Sequence, residues 1–182
     1  NLVTLSRWPF LEQRQIRHAL VPPLRTRLLN ACPPAASVEE FGFERPVLLV
    51  SLKDAGGVTW SIFNVHLRAP IATAIPGQKQ APFMWKSVSG WAEGFWLSDA
   101  KRVMQALEIR MCVDGLLDDD PERHIVIAGD FNAREYETPM KILAGAEEDT
   151  GNGALAARAL ALVDRAVPQD RRFSVLHHGR PE

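Results

Sequence analysis

The stretch His124-Ile-Val-Ile-Ala-Gly-Asp-Phe-Asn132 decides how the rest of this chain is read. Ile125 to Ala128 is an apolar or small run, short enough for a fully buried strand, and it halts at a glycine followed by polar groups that cannot continue it. Gly129 lets the backbone turn sharply, Asp130 projects a carboxylate from the strand end, and Asn132 sets an amide on the same side two residues later. An acceptor beside a donor suits a phosphate and its metal ion.

Working upstream, Val103, Leu107, Met111 and Leu117 recur at helical spacing, with Ser98 or Asp99 as the cap and Asp118-Asp-Asp-Pro121 as the stop. Before that helix, Pro70 to Phe95 is a long connection rich in proline and glycine, with Trp85, Trp91 and then Trp96 in its later part. Val47 to Leu52 and Val58 to Val65 are strand-like runs joined by Asp54-Ala-Gly-Gly57, which predicts an antiparallel hairpin. In the second run Trp60 and Ile62 alternate with Ser61 and Phe63, so both faces of the sheet are at least partly covered. Strand, long crossover with helix, strand is the connection that places two strands in one sheet, and the fold class is α/β, or α+β.

The flanks are plainer. Leu2 to Leu5 is strand-like, Ser6 to Pro9 turns the chain, and residues 11 to 30 lack a clean period, with a strand expected near Arg14 to Leu20. Downstream, Thr138 to Leu143 predicts a short helix, Glu147 to Gly153 a polar loop and Ala154 to Val163 another helix. At 182 residues and 46% hydrophobic, residues 1–182 are expected to form one domain. No apolar run has the length of a membrane helix, and no signal peptide opens the chain, so a soluble protein with a cytoplasmic location is favoured. A net charge of −1, from 21 basic and 22 acidic side chains, gives no global attraction for nucleic acid; a polyanionic substrate would need a local patch or a metal. Cys32 and Cys112 are too few for a disulfide framework or a zinc site. The opening without methionine and the stop at Arg180-Pro-Glu182 give the expectation of a fragment.

Asn64-Val-His66-Leu-Arg68 ends the second hairpin strand, as Gly129-Asp-Phe-Asn132 ends the later one. If both strands run the same way in one sheet, an imidazole, a carboxylate and an amide emerge at one edge. Phosphoryl chemistry uses such a set: an anion to hold a divalent cation or orient water, a donor for a phosphate oxygen, and an imidazole for proton transfer.

Thr4-Leu-Ser-Arg-Trp-Pro9, Val65-His-Leu67 and Gly129-Asp-Phe-Asn132, in that order, resemble the endonuclease/exonuclease/phosphatase superfamily. That group includes deoxyribonuclease I, abasic-site nucleases, neutral sphingomyelinases and inositol polyphosphate phosphatases. The resemblance implies a deoxyribonuclease I-like four-layer α/β/β/α sandwich of two mixed sheets, incomplete at both ends. It implies Mg2+-dependent hydrolysis of phosphodiester bonds by in-line attack of water, with Mn2+ as the alternative ion and nucleic acid as one substrate class. Asp130 and Asn132 would orient water, hold the metal and contact phosphate, while His66 would contact or protonate it. Arg68, two residues after His66, is a further candidate for the phosphate. The family's metal-binding glutamate, on a strand before the opening motif, has no counterpart here, and Glu12 falls on the wrong side of that motif. The family's Asp-His base is also missing, since His177-His178 has no preceding aspartate in the pattern, and neighbours on a strand point to opposite faces.

Competing readings are a phosphatase or phospholipase C-type hydrolase of a small phosphorylated metabolite or lipid head group, and a non-catalytic binding module of the same fold. A dinuclear metallophosphatase is disfavoured because Gly151-Asn-Gly153 lacks the histidine of its Gly-Asn-His motif. The tryptophan-rich connection is either a recognition lid or a loop anchored to its own core. Lys101 and Arg102 are expected on a solvated helix face, and Asp118 to Asp120 in a solvated turn.

Overall fold

Strands β1 (Phe10–Ile16), β4 (Val47–Lys53), β5 (Thr59–His66) and β8 (His124–Asp130) form a sheet in the order β1-β4-β5-β8. The computed structural model describes residues 2–172, 176–177 and 180–181. Its architecture is mixed α/β, with two-stranded sheets made by β2 (Leu24–Thr26) with β3 (Glu39–Phe41) and by β6 (Lys79–Ala81) with β7 (Met84–Trp85). Two compact units are present, Asn1–Leu143 and Ala144–Glu182. No helix among the described residues is long and apolar enough to cross a membrane.

In the first unit, β4 and β5 form the expected antiparallel hairpin around the Asp54 turn. Asp54 organises that turn by accepting the N–H groups of Gly56 and Val58 and the Trp60 indole N–H. Those bonds, the indole's foremost, hold its carboxyl below the ordinary range. On β5, Ser61, Phe63 and Val65 are buried, while Trp60, Ile62, Asn64 and His66 on the other face are half-buried. The neighbouring β8 is parallel to β5, but it is not the fully buried strand expected from its apolar run. It lies at the edge of the sheet, and Ala128 to Asp130 are exposed. Gly129 is indispensable to the pairing: its φ is +136°, and a Cβ there would lie 2.0 Å from the Val65 carbonyl oxygen.

Leu2 to Leu5 is not a strand; the Asn64 amide holds it by donating to Val3 O at 2.9 Å and Thr4 Oγ1 at 3.3 Å. The strand expected near Arg14 to Leu20 is β1, which begins at Phe10 and ends before His18, a residue with φ +53°.

Helix α1 (Val88–Asp119) starts ten residues before Ser98. Ser87 is its cap, accepting the Gly90 N–H at 3.0 Å. The glycines that suggested a loop are packing positions inside the helix. A Cβ at Gly90 would lie 2.5 Å from Gln78 Oε1, and one at Gly94 would lie 2.2 Å from Thr73 O. Trp91 and Trp96 therefore sit on α1 rather than in a lid, and Trp85 packs against the cluster of Leu28, Ala31, Ile75 and Leu97.

The facing of α1 matches the expected one only in part: Leu117 is buried and Val103 half-buried. Leu107 and Met111 are exposed at 39% and 43%, whereas Ser98, Lys101, Arg102, Gln105 and Glu108 are buried beside Leu97, Ile109 and Val113. Lys101 and Arg102 are thus not a solvated face, because each finds a carboxylate partner that the helix pattern alone does not reveal.

Helix α2 (Thr138–Ala144) matches the expected short helix. In the second unit a single helical turn, α3 (Glu147–Thr150), interrupts the expected polar loop and ends at Gly151 with φ +63°. The helix expected over Ala154 to Val163 is only a 3-10 turn, Gly153–Arg158. Residues 153–157 are exposed, so no buried face supports a longer helix. His177 lies on a short strand, and His178 falls outside the described residues.

Candidate functional site

Parallel pairing of β5 with β8 sets Val65 opposite Gly129 and His66 opposite Asp130, so both strands end at the same edge. His66 Nε2 lies 3.6 Å from Asp130 Oδ2, within ion-pair range for a protonated imidazole but too long for a hydrogen bond. Both side chains reach solvent, at 37% and 59% exposure.

Main-chain and amide bonds join the ends beyond the strands. The Leu67 N–H donates to Asp130 O at 2.9 Å, and Asn132 Nδ2 donates back to Leu67 O at 3.0 Å. Asp130 Oδ1 accepts the Asn132 N–H at 2.9 Å, closing a tight turn in which Asn132 has φ +47°. Asn132 therefore spends one side-chain amide hydrogen on Leu67 O and its backbone N–H on Asp130 Oδ1, while Asp130 Oδ2 faces the His66 ring.

Beneath the strand ends, α1 supplies contacts that the sequence did not suggest. Arg102 donates through Nη1 to Asn132 O and through Nη2 to Asp99 Oδ1 at 2.6 Å. Gln105 accepts the Arg68 N–H at 2.7 Å and donates to Arg45 O at 3.2 Å. Arg68 is half-buried just past β5, and its Nε is buried without a hydrogen-bond partner. Lys101 pairs with Glu44 at 2.5 Å. Burial would raise the Glu44 carboxyl, but the Lys101 bond, a backbone bond and the charges of Lys101 and Arg68 hold it below its ordinary range. A signal for these residues was present in the spacing: 98, 101, 102, 105 and 108 share one helical face, and that face is polar.

An open cleft of about 490 Å³ is lined by Leu2, Gln15, Glu44, Arg45, Pro46, Leu48 and His66. His66 is the one predicted site residue on its wall. Glu12 lies on β1, where it pairs with Arg14 at 3.1 Å. Asp120 closes α1 and pairs with Arg123 at 3.7 Å, at the opposite end of β8 from Asp130.

Among the described residues no group of three or more His, Cys, Asp or Glu side chains is placed to hold a metal ion. Asp130 brings one carboxylate and Asn132 one amide to this edge, whereas Mg2+ commonly takes one or two carboxylates and keeps water in its other positions, so a metal here would be held by this small donor set with water in the remaining positions. The set is too small for a protein cage. No protein-family model, curated protein or solved structure matches this chain.

Proposed function

We propose that the strand-end site is the central part of a metal-dependent phosphoesterase centre, hydrolysing phosphodiester bonds, nucleic acid among the substrates, by in-line attack of water. The observation that carries this reading is the register of His66 with Asp130 across a parallel pair, with Asn132 tied to the same edge. Asp130 Oδ2 accepts from the attacking water and orients it. His66, 3.6 Å away, meets the phosphate as a cation or proton donor. Asn132 fixes the loop with its amide N–H on Leu67 O, and Arg68 supplies positive charge to the substrate. Magnesium held by Asp130 and Asn132, with Mn2+ as the alternative, would neutralise charge on the phosphate oxygens.

The four-stranded sheet then corresponds to one of the two sheets of a deoxyribonuclease I-like sandwich. The half-buried face of β5, with Ile62, Asn64 and His66, is the surface for the second. Assayed as the full-length protein with Mg2+, it is expected to cleave bis(4-nitrophenyl) phosphate, and Asp130→Asn and His66→Ala are each expected to lower kcat/KM by about 10²-fold or more. A wild-type rate in either variant overturns the assignment. DNA, RNA, phosphoinositide and sphingomyelin tested side by side then identify the substrate class.

A further inference from the structure

Asn132, at φ +47°, takes the left-handed turn that asparagine tolerates better than other side chains, with its amide on Leu67 O and its own N–H on Asp130 Oδ1. Further support for this turn comes from α1. The Arg102 side chain is only 6% exposed, and its charge is matched by Asp99 at 2.6 Å and Glu137 at 3.4 Å. With Nη2 committed to these carboxylates, Nη1 is aimed at the Asn132 carbonyl. One turn along the helix, Gln105 is 2% exposed and takes the Arg68 N–H, two residues after His66. Residues three apart share a helix face, so one turn of α1 grips the chain just past both β5 and β8.

We propose that Arg102 is a positioning residue for the strand-end site, locking the Asn132 backbone so that Asp130 stays in register with His66, while Gln105 braces the β5 side. Arginine suits the task because its planar fork serves a carbonyl and a carboxylate at once, whereas lysine offers a single ammonium. The inference rests on the phosphoesterase reading only where activity is measured.

The experiment compares Arg102→Lys with the wild type by NMR, following the carbon shifts of Asn132, which report its left-handed backbone, and hydrogen exchange of its side-chain amide. Arg102→Lys is expected to move those shifts toward extended values and to speed amide exchange about tenfold, the loss of one charge-assisted hydrogen bond. In the full-length protein kcat falls while KM stays within about twofold, as for a group acting through the geometry of the centre. If Arg102→Lys does not fold, Asp99→Asn is used; it keeps the guanidinium, frees it from its closest carboxylate, and gives a smaller change in the same direction. Wild-type shifts and exchange at Asn132 in the folded variant overturn the proposal. An absence of activity in the wild type overturns the phosphoesterase reading and leaves the NMR result to decide this one.

Discussion

On the buried face of α1 every carboxylate oxygen of Glu93 and Glu108 has a backbone N–H to accept, whereas at the strand ends only Asp130 Oδ1 accepts one and Oδ2 faces the His66 ring. Glu108 takes the N–H groups of Ala19, Leu20 and Val21 at 2.8, 3.0 and 2.7 Å, and Glu93 takes those of Leu29 and Asn30 at 2.6 and 2.9 Å. These carboxylates fold loops that have no ladder of their own, so their polarity is consumed by structure. Asp130 and His66 face each other at 3.6 Å without a hydrogen bond, and their capacity is left for a third party. Polar groups in the first region should therefore govern stability, and those in the second should govern activity.

Glu108→Ala tests that division hardest. It leaves three backbone donors without a partner around a side chain that is 0% exposed. At about 1 kcal/mol or more for each orphaned donor, the loss comes to roughly 3 kcal/mol, read as a lower urea midpoint. A loss below about 1 kcal/mol would mean that water replaces Glu108 freely, and the contrast with the strand ends would collapse.

The same contrast explains which parts of the molecule were legible in the sequence. The β4–β5 hairpin and β8 announced themselves through apolar runs broken by Asp54 to Gly57 and by Gly129, because backbone turns need particular residues locally. The meeting of His66 with Asp130 followed from two strands of like direction. Helix α1 announced its facing only in part, since periodicity assigns apolar residues inward, and Leu117 does lie inward, but Leu107 and Met111 lie outward while Arg102, Gln105 and Glu108 lie inward. Glu108 finds its partners 87 to 89 residues away in sequence, in a loop whose course no local pattern encodes. Gly90 and Gly94 misled for a related reason: they read as breakers, but the neighbours that exclude a Cβ come from Thr73 and Gln78.

Acid probes the helix side more gently. Burial would raise the Glu93 carboxyl, but the bonds from Leu29 and Asn30 outweigh it and hold the group below its usual 4.5. A carboxyl lowered in the folded state stabilises fully above its unfolded value, and that contribution is lost as pH falls through the folded one. The urea midpoint is therefore expected to decline below about pH 4.5. Glu93→Gln should flatten this decline in part, because Glu44 and Asp54 are held low as well. An acid limb as steep as the wild type's would show that Glu93 is ionised no more favourably in the fold than in the unfolded chain.

The smallest effect on stability is expected where the largest effect on activity falls. Asp130→Asn keeps an oxygen to accept the Asn132 N–H, alters a side chain 59% exposed, and removes a His66 contact that is no hydrogen bond. Exposed substitutions of this kind change stability by no more than about 0.5 kcal/mol. The urea midpoint should thus barely move in the variant whose hydrolysis is expected to fall about 10²-fold. A stability loss above about 1 kcal/mol would place Asp130 with Glu93 and Glu108 as a carboxylate that folds its own loop, and an activity loss would then report a displaced turn rather than a missing catalytic oxygen.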